Sequence, residues 1–199
     1  TIYSVGLHEL NAVQKQLLKA HPKVNMRLNY RRNDQVYDDV ILGAAEIGIV
    51  AYPQPRAGVD ILPFRDDKLA VVCAPGHAFA SKAKVSLTAL SGVPFIAFDR
   101  EAPTRKALDR LFREKNIDIN PVMEMDNVET IKRAVEMGLG VAILPVSTAQ
   151  GEVKGGSLVA KPFAEGPVSR PIGLLIRKGK YLDRASAAVL EAFKAAANL

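Results

Sequence analysis

Four arginines and a serine stand where this chain should turn from strand into helix: Arg31, Arg32, Arg100, Arg105 and Ser4. Guanidinium groups beside helix N-termini suit a carboxylate, sulfate or phosphate, which they hold by paired hydrogen bonds. Arg31 and Arg32 are consecutive, so on an extended chain only one of them faces a given side. Asp34, Asp99, Glu101 and Asp126 occupy the same turns and would oppose an anion or neutralise the arginines. The small polar residues have a second use. Ser4, Asn33, Asp34, Asp126 and Asn127 are all good helix caps, and Asp126 with Glu129 has capping-box spacing. The chemistry indicated is reversible binding of a small organic or inorganic anion.

Catalysis and metal binding find little footing. His8-Glu9 begins like a zinc-protease helix, but Ala12 stands where the second His is required, and His21 and His77 have no partner at ligand spacing. Gly138-Leu139-Gly140 ends a helix and starts a strand, the reverse of what a phosphate cradle needs, and no G-x-S-x-G elbow or P-loop occurs. Cys73 lies in the apolar run AVVCAP, where a thiol acts as a small buried hydrophobe. The expectation is therefore no catalytic residue, no metal and no cofactor.

The elements that would position the arginines alternate. Leu10, Val13 and Leu17 share one face of a helix running from residue 7 to the stop at His21-Pro22, with Ser4 in its N-cap region. Val24, Met26, Leu28 and Tyr30 alternate with polar residues, the period of a strand. A helix opens at Asn33-Asp34 and closes at Gly43, and Ile47–Val50 is a short buried strand. The order recurs with strands at 93–98, 122–125 and 140–144 and helices at 103–115 and 126–138. Arg105, Lys106, Arg110, Arg113 and Lys115 give the 103–115 helix a solvated basic face, opposite Leu108, Leu111 and Phe112. Such alternation predicts parallel sheets with helices on their faces.

Lys68–Pro75 and Arg170–Arg177 are two further strands, and an Ala-rich helix spans 181–199. The fold class expected is α/β, two Rossmann-like lobes joined by two crossing strands, with lobe I at 1–72 plus 173–199 and lobe II at 73–172. Ligands of open α/β sheets sit beyond the carboxyl ends of strands. That places the candidate residues at the turns Ile2 to Val5 (Ile2, Ser4, Val5), Arg31 to Asp34 (Arg32, Asn33, Asp34), Phe98 to Thr104 (Arg100, Thr104) and Asp126 to Val128 (Asp126, Asn127). The strand ends Ala51-Tyr52 and Pro145-Val146 complete the set.

Length and composition agree with this. The 199 residues are 48% hydrophobic and 24% charged, enough for a core that needs no disulfide, and the single cysteine allows no intrachain one. The longest apolar run, 141–146, falls far short of the ~20 residues that cross a bilayer. A net charge of +6 favours small anions or an acidic partner. It is weak evidence for nucleic acid, since the basic residues are scattered and there is no Trp to stack on a base. The chain opens on Thr1 and reads as a piece excised from a longer protein.

The segments LHELNAVQKQLLKAHP, DDVILGAAEIGIV, LAVVCAPGHAFA and NVETIKRAVEMGLGVAILP, in that order, resemble the effector-binding domain of LysR-type transcriptional regulators. That resemblance covers essentially the whole chain and implies the type 2 periplasmic-binding-protein-like fold. It implies a cytoplasmic, non-enzymatic sensor that binds a small-molecule effector in the cleft between lobes, where the family places the six turns and strand ends named above. It further implies dimers or tetramers, with residues 7–20 and 127–138 as interface candidates. DNA would be bound only through an N-terminal winged helix-turn-helix absent from this chain, and no membrane is involved. The alternatives on the same scaffold are a transport-type solute-binding protein and an enzyme.

Overall fold

The computed structural model describes residues 1–197. In chain order the elements are α1 (Tyr3–His8), α2 (Asn11–Ala20), α3 (Asn33–Ile41), β1 (Ile47–Ala51), β2 (Val59–Cys73), β3 (Pro94–Phe98), α4 (Pro103–Glu114), β4 (Asn120–Met125), α5 (Val128–Glu136), β5 (Ala142–Pro145), α6 (Gln150–Gly155), β6 (Val159–Lys161), β7 (Val168–Arg177) and α7 (Arg184–Ala197). Positions 198 and 199 of the predicted last helix lie outside the described residues. The chain forms two compact units, one from Thr1–Asp66 and the chain beyond Pro171, the other from Asp67–Arg170. It passes from the first to the second within β2 and returns within β7.

In the first unit β1 pairs with β7, from Ile47↔Ile176 to Ala51↔Ile172. Period-two alternation sends neighbouring residues of β1 to opposite faces. Ile49 and Ala51 pack with Val5, Leu10, Val13, Leu190 and Phe193 of the flanking helices, while Val50 packs with Val36 and Val40 of α3. The predicted helix from residue 7 is two helices instead. Val5 and Leu10 are both fully buried, yet five residues apart they fall on different faces of a straight helix, so the chain breaks at Glu9-Leu10 to bury both.

The strand predicted at 24–30 does not form a ladder. Val24, Met26 and Leu28 are half-buried and Asn25 and Arg27 exposed, as the alternation requires. Among the described residues, the segment is tied to an extended neighbour at Thr1. The Thr1 amine donates to Asn29 O at 2.8 Å, and Arg31 N–H donates to Thr1 O at 2.9 Å.

In the second unit β2, β5 and the two-stranded β3-β4 sheet alternate their side chains between two cores. Val71, Phe95, Ala97, Val141 and Ile143 face Leu108 and Phe112 of α4, whereas Val72, Ile96, Phe98, Ala142 and Leu144 face Val128, Ile131 and Val135 of α5. Each such fully buried aliphatic side chain contributes ~1.5 to 3 kcal/mol. β3 and β4 are parallel, but β2 runs antiparallel to both β5 and β6, as β1 does to β7. The expectation of parallel sheets therefore fails for these pairs. β3-α4-β4 and β4-α5-β5 are strand-helix-strand crossovers, the chain entering β5 parallel to β3 at Phe95–Val141, whereas the long strands β2 and β7 enter from the other unit without a helical return.

The hand-off from α5 to β5 depends on two glycines. Gly138 adopts φ +75° to end the helix, and at Gly140 a Cβ would lie 2.5 Å from the Pro94 carbonyl oxygen. That close approach lets Val141 exchange hydrogen bonds with Pro94 and Ile96, joining β5 to β3.

Candidate functional site

In the first unit, three ends meet. Ile2 is the N-cap residue of α1 and its N–H donates to Ile49 O at 3.2 Å. Asn33 does not cap α3; it is the first helical residue, and its Oδ1 accepts the Ala51 N–H at 3.1 Å, tying the helix start to the end of β1. Arg32 is the N-cap residue, with its N–H held by Gln35 Oε1 at 3.1 Å. Asp34 sits exposed in the first turn, where its charge suits the helix dipole and repels an approaching anion.

Of the two consecutive arginines, Arg31 turns back to Asp39, Nε to Oδ2 3.1 Å. The exposed Arg32 guanidinium stands at the start of α3. Ser4, expected near an N-cap, lies inside α1 and is buried, and Val5 is a core residue. Ala51 is buried too, and Tyr52 after it takes a left-handed conformation, φ 48°, with its N–H on Pro171 O at 2.7 Å.

In the second unit β3, β4 and β5 deliver the remaining residues. Asp99 N–H donates to Met125 O at 2.7 Å, which fixes the start of the α4 turn against the end of β4. Arg105 is a strut rather than an outward cation. It is buried, with Nη1 on Phe98 O at 2.8 Å, Nε on Asp109 Oδ1 at 2.8 Å, and Glu124 at 3.3 Å. The expected solvated basic face of α4 therefore loses its first member. Arg100 is exposed and reaches Glu124 Oε1 at 3.2 Å. Its hydrogen bond, followed by that from Arg105, holds the Glu124 carboxyl below the usual carboxylate range.

Thr104 is buried in the first turn of α4. Asn127, not Asp126, caps α5, its Oδ1 accepting Glu129 N–H at 2.8 Å. With Asn127 as the N-cap residue, Glu129 stands at the second helical position rather than the third that the predicted Asp126–Glu129 box requires, and its carboxylate lies 3.1 Å from Lys132 Nζ. Pro145 is buried at the end of β5, and Val146 beside it is 38% exposed.

Lys132 escaped the sequence reading. It is 2% exposed, with Nζ on Thr148 O at 2.9 Å and Glu152 Oε1 at 2.7 Å. Helical period alone could have found it, since Val128, Ile131, Lys132 and Val135 form one stripe. Arg105 likewise begins the stripe of Leu108 and Phe112. These cations are structural, anchoring the helices whose N-termini carry the candidate residues.

What the two sets share is helix N-terminal N–H groups at strand ends with an exposed arginine close by in sequence, an arrangement for holding a small anion. Among the described residues no group of three His, Cys, Asp or Glu is gathered for a metal. Cys73 is fully buried, and burial pushes its thiol up. No described helix is long and apolar enough to cross a membrane.

Residues 1–198 match the family model described as the LysR substrate binding domain. The chain is 27% identical over 171 residues to the RuBisCO operon transcriptional regulator of Allochromatium vinosum, across 86% of this chain and 57% of that protein. It thus spans little more than half the length of that curated relative. The regulatory domain of Synechocystis PCC6803 CcmR in complex with 2-PG has a similar structure, with a TM-score of 0.87 at 23% identity over 98% of this chain and 93% of that one. The effector binding domain of QuiR in complex with shikimate reaches 0.88 at 20% identity, covering 99% and 94%.

Proposed function

Because the chain belongs to the family of LysR substrate-binding domains, we propose that it is the effector-sensing part of a longer transcriptional regulator and takes up a small anion. The family match across residues 1–198 carries this reading. It is supported by the relative named as a transcriptional regulator, and by structurally similar domains bound to 2-PG and to shikimate. The effector would be held at strand-to-helix turns, by Ile2, Arg32 and Tyr52 in the first unit and by Arg100, Asn127 and Val146 in the second. Val5, Ala51 and Pro145 contribute main-chain groups.

A ligand of this kind biases the protein only by its difference in affinity for the states the protein can adopt. In the whole cytoplasmic protein that shift would re-angle DNA-binding domains of a dimer or tetramer. The domain itself carries out no chemistry.

A thermal-melt screen over phosphorylated and carboxylated metabolites tests the proposal. An anion at a hundred times its Kd stabilises the fold by about 2.7 kcal/mol. Arg32→Ala should abolish the shift while leaving the unliganded melt unchanged. Tight binding of a neutral or cationic metabolite, with all anions inert, would overturn it.

A further inference from the structure

Alternation along β4 sends Met123 and Met125 toward the α5 core and Glu124 to the opposite side, toward α4. Glu124 is not among the anion-binding candidates, yet two arginines of the α4 turn converge on it. Arg100 Nε lies 3.2 Å from Oε1 and 3.3 Å from Oε2, and Arg105 reaches Oε1 with Nη1 and Nη2, both at 3.3 Å.

The two contacts differ in kind. Arg105 is buried, and Asp109 and Phe98 O already hold it at 2.8 Å each, so Glu124 makes its longer bonds. Arg100 is 77% exposed and turns to Glu124 from the solvent side. An ion pair this exposed opens at little cost, because water takes the partner's place. Arg100, Arg105, Asp109 and Glu124 together carry no net charge, so the cluster gives an approaching anion little long-range attraction. The Arg100 hydrogen bond, followed by that from Arg105, holds the Glu124 carboxyl below the usual carboxylate range, and it is charged at neutral pH.

We propose that Glu124 is a resident competitor for Arg100: its carboxylate occupies the guanidinium until the anionic group of an effector displaces it, and so sets how much effector is needed. Arg105, fixed in the core, keeps the displaced carboxylate beside the turn, where its charge still opposes the newcomer. At equal distance a dianion is opposed twice as strongly as a monoanion. The inference rests on the effector reading, which makes Arg100 an anion contact. Glu124 itself is a positioning residue that acts through Arg100.

The test titrates sulfate and acetate, at constant ionic strength, into the protein and into Glu124→Gln, following the amide resonances of Arg100, Glu101, Ala102 and Thr104. Glutamine keeps an oxygen for Arg105 but drops the charge. Sulfate should bind E124Q about tenfold more tightly than the unaltered protein, and acetate about threefold. Both gains should vanish when the same change is made in Arg100→Gln. Asp118→Asn, which removes an exposed charge from the same unit, should alter either affinity less than twofold. Should E124Q fail to fold, the Arg100 Nε–H resonance of the unaltered protein should move on saturation with sulfate while that of Arg105 stays. Sulfate binding by E124Q that is no tighter, a gain that survives Arg100→Gln or is matched by Asp118→Asn, or an unmoved Arg100 Nε–H would each overturn the proposal and leave the effector reading standing. If sulfate, acetate and the metabolite screen all leave both proteins unmoved, the effector reading falls and the role of Glu124 with it.

Discussion

Asp67 and Arg170, the residues at which the chain enters and leaves the second unit, are bonded to each other: Arg170 Nη2 lies 2.5 Å from Asp67 Oδ2, with side chains 2% and 4% exposed. Nε of the same arginine reaches the same oxygen at 3.2 Å. The pair sits 103 positions apart in sequence and staples the base of the unit. Removing one partner strands a buried charge. Arg170→Ala should therefore cost about 3–5 kcal/mol in urea unfolding, while Asp67→Leu with Arg170→Met should restore much of it. A single-variant loss below ~1 kcal/mol would show that the pair holds nothing.

Lys132 makes a second prediction. Its ammonium is buried, but Glu152 and Glu129 are 23% and 41% exposed, so solvent screens part of the attraction. Lys132→Ala should cost about 1.5–3 kcal/mol, and Lys132→Met, which keeps the apolar stem, should cost less. Denaturant midpoints of the two variants decide the order.

Asn33→Ala removes the acceptor of a buried main-chain N–H at Ala51. An unmet donor of this kind costs about 1–3 kcal/mol. The same change should loosen the junction of α3 with β1, read as faster amide exchange at Ala51 and Tyr52, with the amides of β3 and β5 unaffected.

Local signals were legible where a single element contained them. The spacing from Val128 to Val135 and the glycine at 138 predict α5, and Ile47–Val50 predicts β1, because period and cap lie within a few residues. The antiparallel partners of β2 and β7 were not legible, since their pairing depends on where the chain crosses between units. At the candidate site the turns were found, but not the duties within them. Asn33 and Asp126 look equally like caps, and only the distance from Asn33 to Ala51 N–H shows that its side chain serves the strand end instead. Arg105 reads as a free cation until Phe98 O and Asp109 are brought against it.

Gly140 reaches beyond its own turn. With a Cβ position only 2.5 Å from Pro94 O, a single added methyl would act as a wedge at the amino-terminal end of β3. The strand would have to swing about its far end, where Arg100 and Thr104 follow. One carbon at the back of the sheet would thus re-aim the groups at its front, and Gly140→Ala becomes a way to perturb the proposed anion site without altering any of its candidate residues.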